Sequence, residues 1–401
     1  MFSVASLLTI ILLALSIAAS PFEIRDSLIT LPISRRLNVS DGPIQLLQHD
    51  QARVAALKAG HHLGSPPVTN VVVSYIAKVG VGSPPTTYNL IVDTGSSNTW
   101  VGAGTAYVKT STSVNTGQPV AVGYGSGSFS GTEYTDTVTL GSGLTITKQS
   151  IGVASTASGF TGVDGILGIG PVDLTEGTLT NSPTATIPTV TDNLDSQGTI
   201  SQKVVSVFFG PTTSQTITNG ELTFGGTDAA KYTGDIGYTP STTTSPASTY
   251  WGIDQSITYG STTILSSTAG IVDTGTTFLY IATDAYTKYK SETGGTVDGA
   301  TGLLSVSSAK YSALKNLNFH IGSNTYTLTP NAQIWPRSLN TNIGGSSKAI
   351  YLIVYDIGTD TGAGFDFVNG YTFLERFYSV FDTTNSRVGF ATTSYTDATT
   401  N

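Results

Sequence analysis

The 401-residue chain contains no cysteine, which excludes disulfides, thiolate zinc sites, iron–sulfur clusters and a cysteine nucleophile in any redox compartment. Histidine is also scarce. The four present are His49, His61, His62 and His320, and they offer an adjacent pair but no HExxH spacing. No metal site is expected, and a solvated loop accounts for His61 and His62. Only 11% of residues are charged, too few for a disordered or nucleic-acid-coating chain. With a net charge of −8 and no Lys/Arg block, the chain is not expected to bind nucleic acid. No GxSxG elbow, P-loop or GxGxxG fingerprint occurs, and His320 has no evident nucleophile partner.

Long apolar runs are absent except at the start, where Phe2 to Ala19 ends in small residues before Pro21. This predicts a secretory signal peptide over residues 1–20, with a retained membrane anchor as the competing reading because the segment lacks a basic n-region. Nothing later could span a bilayer with one helix, so no membrane association is expected of the mature form. Residues 21–60 carry Arg25, Arg35, Arg36, Arg53 and Lys58 against Glu23, Asp26, Asp41 and Asp50, ahead of an acidic body. A short basic segment before an acidic body suggests a propeptide that neutralises something acidic; a flexible tail is the alternative. The only Asn-x-Ser/Thr sequon, Asn38-Val39-Ser40, falls inside it.

From Val71 onward, short β-branched and aromatic runs are broken by Gly, Pro, Ser and Asn, which predicts a mainly-β protein. Helical spacing is limited to Pro188–Ser196, Thr283–Glu292, Ser307–Leu317 and Thr372–Tyr378. The polar, Pro-bounded stretch Thr239–Ser248 is read as an inter-domain boundary, with a long surface loop as the alternative.

What the chain does have is a repeat. Ile91-Val92-Asp93-Thr94-Gly95-Ser96-Ser97 returns as Ile271-Val272-Asp273-Thr274-Gly275-Thr276-Thr277. Two copies imply two related lobes meeting about a pseudo-twofold axis. Each apolar pair suits a buried strand, and the acid that follows must sit at a turn that satisfies it. Gly95 and Gly275 let the backbone aim amides at the carboxylates, Ser96 and Thr276 can bond their outer oxygens, and Thr94 and Thr274 can tie one loop to the other. Two acids held this close share a proton and can act as base and acid on one water, with no cofactor.

These residues resemble the pepsin-like aspartic proteases over nearly all of residues 66–398. The resemblance implies an all-β, bilobal fold of two β-barrel-like lobes with a few short helices and a cleft between them. It implies residues 61–240 as an N-terminal lobe and 241–401 as a C-terminal lobe, after a propeptide ending between 58 and 66. Tyr124-Gly125-Ser126-Gly127-Ser128 looks like the family's flap, with Trp100 supporting Tyr124. Asp164-Gly165-Ile166-Leu167-Gly168 and Phe367-Val368-Asn369-Gly370 look like the strands behind the two active loops. Among members of the family, secreted basidiomycete enzymes free of cysteine share the longest runs, and Tyr371 departs from the family's usual Asp.

By the same resemblance Asp93 and Asp273 are the catalytic pair. Ile91, Tyr124, Gly125, Ser126, Ser128, Gly95, Gly275, Thr276 and Thr277 meet substrate, with Thr94, Ser96, Trp100 and Thr274 in support. Ser126 in place of an acid, together with Ile91, Phe129 and Phe278, implies a preference for bulky apolar residues. The implied partners are peptide or unfolded protein and pepstatin-type inhibitors; the implied state is a secreted monomer activated at low pH, with Lys58 or Arg53 pairing the two acids beforehand. A non-catalytic binder on the same fold is the alternative, disfavoured by retention of both acids and of Tyr124.

Overall fold

The computed structural model describes residues 29–37, 45–60, 73–141 and 144–401. The expected signal peptide, the Asn38 sequon, His61, His62 and residues 61–66 of the expected 58–66 maturation window lie outside those residues. Among the described residues, one sheet has thirteen strands and another seven, with a three-stranded remainder.

The repeat is built twice in the same way. Strand β1 is Ile29–Leu37, β2 is Val73–Val81 and β3 is Thr86–Asp93. β2 pairs antiparallel with β3, and the short strand Gly165–Gly168 runs parallel to β3 on its other side, with Asp93 opposite Gly168. In the second copy, Gly252–Tyr259 pairs antiparallel with Thr262–Val272, and Phe367–Asn369 runs parallel to it with Val272 opposite Asn369. Neighbours on both edges explain why Leu90, Ile91 and Val92, and likewise Ile271 and Val272, are buried without alternation.

β1 is an interior strand of the larger sheet, paired with Thr216–Phe224 on one edge and β2 on the other. It carries the buried Arg35, whose Nη1 donates to the Thr212 carbonyl at 3.0 Å and whose Nε lies 3.5 Å from Glu375 Oε1. The guanidinium stacks 5.6 Å from the Tyr371 ring and 5.5 Å from Trp335. The unusual Tyr371 therefore faces a cation, and its own N–H donates to the Thr276 carbonyl at 2.8 Å.

Helix α1, Leu46–Ala59, is not foreshadowed by the sequence reading. Strong helix formers such as Leu, Gln, Arg and Ala fill it, and Gly60 ends it in the left-handed region at φ 77°. The helix expected over Ser307–Leu317 is confined to Ser308–Ser312, because Leu317–Ile321 alternates buried and half-buried as a strand. Similarly, Tyr371–Leu374 forms a helix but Phe377–Asp382 is a fully buried strand, whose rings mimic helical spacing in sequence. Thr239 and Pro240 close a strand, Thr233–Pro240, which pairs with Arg387–Thr392 in the larger sheet.

Candidate active site

Asp93 ends β3, and Asp273 follows the strand ending at Val272; both are fully buried. Each carboxylate meets a matching set of donors. Gly95 N–H donates to Asp93 Oδ1 at 2.9 Å, and Gly275 N–H to Asp273 Oδ1 at 3.0 Å. Ser96 Oγ donates to Asp93 Oδ2 and Thr276 Oγ1 to Asp273 Oδ2, each at 2.5 Å. These charge-assisted bonds let a buried strand end in an acid.

The two loops are locked together from beneath. Thr94 N–H donates to Thr274 Oγ1 and Thr274 N–H to Thr94 Oγ1, both at 2.9 Å. Thr94 Oγ1 in turn donates to the Val272 carbonyl and Thr274 Oγ1 to the Val92 carbonyl. The backbone is further fixed where Ile169 N–H donates to the Asp93 carbonyl and Asp273 N–H to the Asn369 carbonyl.

Between the carboxylates sits Arg53 of helix α1. Its Nη2 lies 2.5 Å from Asp93 Oδ1 and 3.1 Å from Asp273 Oδ1, and its Nε 2.9 Å from Asp273 Oδ2. The inner oxygens of both acids thus share one nitrogen. A Cβ on Gly95 would lie 2.7 Å from both Arg53 Nη2 and Asp273 Oδ1, so the loop needs glycine there to admit the guanidinium and the opposing acid. Burial works to raise the Asp273 carboxyl, but the Arg53 charge and the converging donors outweigh it and hold the group below the usual carboxylate range. Of the two basic residues expected at the acids, Arg53 is the one there. Lys58 instead donates to Thr359 Oγ1 at 2.8 Å and to the Ile357 carbonyl.

The hairpin tip lies over α1. Gly125 has φ 74°, and a Cβ there would collide with the Ala52 carbonyl oxygen, so its backbone rests directly on the helix. Tyr124 and Ser126 are buried and Ser128 is exposed, with Ser128 Oγ 3.3 Å from Ser158 Oγ. Trp100 stacks on Phe129 at 4.3 Å between centroids and on Tyr124 at 6.5 Å, with Phe160 edge-on at 4.8 Å. Ile91 belongs to this same apolar cluster. Phe278 packs in the other lobe against Trp335, at 5.9 Å.

Asp50 and His49, both on α1, were not singled out in the sequence. Asp50 Oδ2 accepts the backbone N–H groups of Thr277 and Phe278. The available signal was their place three and four residues before Arg53 on a run of helix formers. Among the described residues no group of three or more His, Cys, Asp or Glu is placed to hold a metal ion.

The eukaryotic aspartyl protease family profile matches residues 74–393. Polyporopepsin from Irpex lacteus is 67% identical over 339 residues, covering 84% of this chain and 99% of that protein. Gastricsin from Cavia porcellus is 32% identical over 346 residues, covering 81% and 82%. A crystal structure of aspartic proteinase from Irpex lacteus superposes with a TM-score of 0.82 at 60% identity, covering 94% of this chain and all of that one.

Proposed function

The chain belongs to the eukaryotic aspartyl protease family and is a pepsin-like aspartic endopeptidase, and on that premise we propose that Asp93 and Asp273 are its catalytic pair and that Arg53 silences them in a precursor. The observation that carries the reading is the paired cradle: matching donors on each acid, and one nitrogen shared by both inner oxygens.

Once the guanidinium withdraws, two neighbouring carboxylates cannot both ionise cheaply, and the pair keeps one proton. A water between them gives a proton to the ionised acid as its oxygen attacks the scissile carbonyl carbon, while the other acid protonates the carbonyl oxygen. The resulting diol returns a proton to the newly ionised acid as its C=O re-forms. The other acid protonates the amide nitrogen, and the C–N bond breaks. A carboxylic acid and an amine leave, and the dyad again holds one proton. Ser96 and Thr276 keep the outer oxygens oriented, and Thr94 and Thr274 keep the loops in register.

Residues 21–60 act as a prosegment after a signal peptide at 1–20, and residues 61–240 and 241–401 form the two lobes. In support, β1 and α1 lie outside the matched residues 74–393 while α1 fills the space over the acids. Acid loosens this contact by protonating Asp273, which the docked Arg53 holds ionised. The Tyr124–Ser128 hairpin is the lid over bound peptide, Thr277 and Gly95 offer it backbone contacts, and the apolar wall of Ile91, Phe129 and Phe160 favours bulky apolar side chains. Secretion is proposed from the Phe2–Ala19 run, and no helix of the described residues is long and apolar enough to cross a membrane. The mature enzyme acts as a monomer on peptide or unfolded protein.

The test is acid treatment of the precursor followed by incubation with denatured protein, with and without pepstatin. Cleavage abolished by pepstatin is expected; no pepstatin-sensitive cleavage would contradict the proposal.

A further inference from the structure

Asp50 lies one helical turn before Arg53 and is fully buried, yet the hydrolytic chemistry has no use for it. Its Oδ2 accepts two consecutive backbone amides, Thr277 N–H at 2.8 Å and Phe278 N–H at 2.9 Å, immediately beyond the loop that carries Asp273. Two amides converging on one oxygen suit a carboxyl or carbonyl oxygen and little else. Burial pushes the Asp50 carboxyl up to about 7, against the pull of those donors and of Arg53. The group is therefore a neutral acid at acid pH, accepting through one oxygen while Oδ1 has no partner.

The rest of the helix is held by burial of Leu46, Leu47, Val54 and Leu57, by the packing of Gly125 on Ala52, and by hydrogen bonds made away from the two acid-bearing loops. Gln51 Nε2 donates to Tyr355 OH at 3.3 Å, and Lys58 to Thr359, both half-buried or exposed. Tyr250 OH donates to the Leu57 carbonyl near the helix end. A long guanidinium alone tolerates small slides of its helix. A short carboxyl side chain three residues away, bound to rigid backbone, does not.

We propose that Asp50 is a second latch of the prosegment: it occupies the Thr277 and Phe278 amides and sets the register at which Arg53 meets Asp93 and Asp273. The cleft of this enzyme thereby recognises a helical ligand bearing a carboxyl group one turn ahead of a guanidinium. The latch rests on the reading of α1 as part of a prosegment, and Asp50 is a positioning residue acting through Arg53.

The experiment compares full-length precursors, wild type, Asp50→Ala, Asp50→Asn and Arg53→Gln, for rate of conversion at one mildly acidic pH. Hydrogen exchange of the Thr277 and Phe278 amides is followed in the unconverted precursor. Asp50→Ala is expected to convert about tenfold faster, the loss of hydrogen bonds to two buried amides. Asp50→Asn, which keeps the accepting oxygen and matches the neutral acid, is expected within about twofold of wild type by the same reasoning. Both amides are expected to be protected in wild type and to exchange on conversion.

Wild-type speed in Asp50→Ala alongside faster conversion of Arg53→Gln overturns the latch and leaves the prosegment reading intact. Wild-type speed in Arg53→Gln defeats that reading instead. Asp50→Asn as fast as Asp50→Ala assigns the effect to charge rather than to the amides and also overturns the latch. Should Asp50→Ala not fold, unprotected Thr277 and Phe278 amides in the wild-type precursor overturn it without any variant.

Discussion

Arg53 engages Asp273 with two nitrogens, Nε to Oδ2 at 2.9 Å and Nη2 to Oδ1 at 3.1 Å, the planar fork-to-carboxylate match that a lysine ammonium lacks. The same Nη2 reaches Asp93, so one buried cation answers two buried acids. Taking these charges out of water is costly, and each depends on the others to remain there.

Removing that cation is expected to unlock the precursor. Asp273 is held low in the docked state, so its contribution to docking is present above the ordinary Asp range and is lost as pH falls through the lowered value. In Arg53→Gln the contribution is missing at every pH, a loss of about 3–5 kcal/mol for a broken buried pair. A conversion time course at neutral pH is expected to show processing in Arg53→Gln and none in wild type.

His49 adds a second acid-sensitive contribution. It is half-buried, four residues before Arg53 and so on the same helical face. Burial, and then the Arg53 charge, push its imidazole down from 6.5 to about 4. Docking therefore disfavours the proton, and its contribution fades as pH falls from 6.5 to about 4. Asp50, pushed up to about 7, works in the opposite sense and weakens docking as pH rises. His49→Gln is expected to move the conversion midpoint to lower pH, read from conversion rates across that range. An unchanged midpoint would remove His49 from the pH response.

The reciprocal Thr94 and Thr274 bonds are expected to carry lobe-to-lobe stability. Thr94→Val leaves the buried Thr274 N–H without its acceptor, a cost of about 1–3 kcal/mol. Chemical denaturation should show that loss. Thr94→Val combined with Thr274→Val should cost less than the sum of the two single changes, because the residues share one network.

Glu133 sets an upper pH limit on stability. It is buried, with Ser150 Oγ donating to Oε1 at 2.7 Å and Oε2 without a partner. Burial pushes its carboxyl up from 4.5 to about 7. An acid raised in the folded state stabilises below its unfolded value and loses that contribution as pH rises through the folded one. Glu133→Gln is expected to raise the thermal midpoint above pH 7, by roughly 2 kcal/mol in stability, with little effect near pH 4. Thermal melts at the two pH values check this.

Much of the centre was legible because its chemistry is local. Asp, Thr, Gly and a hydroxyl residue at fixed offsets dictate which atoms can reach a carboxylate, and a second copy of the seven residues implies the partner loop. The mainly-β class and the rear strands at Gly165–Gly168 and Phe367–Asn369 were legible for the same reason. The structure of β1 and α1 was not. Helix α1 buries a regular stripe of Leu46, Leu47, Asp50, Arg53, Val54 and Leu57, but two members of that stripe are charged, so it does not read as an apolar face in the sequence. Lys58 and Arg53 were indistinguishable as letters; only the turn of the helix separates the one over the acids from the one at Thr359. Tyr371 could not be understood without Arg35, whose approach depends on β1 entering the interior of the sheet.

The most direct measurement is peptide hydrolysis and self-conversion at acid pH by Asp93→Asn and Asp273→Asn, each compared with wild type. Both variants are expected to lose activity by about a thousandfold or more, as when a general acid or base is removed. Retention of near-wild-type cleavage by either one would contradict the shared-water dyad.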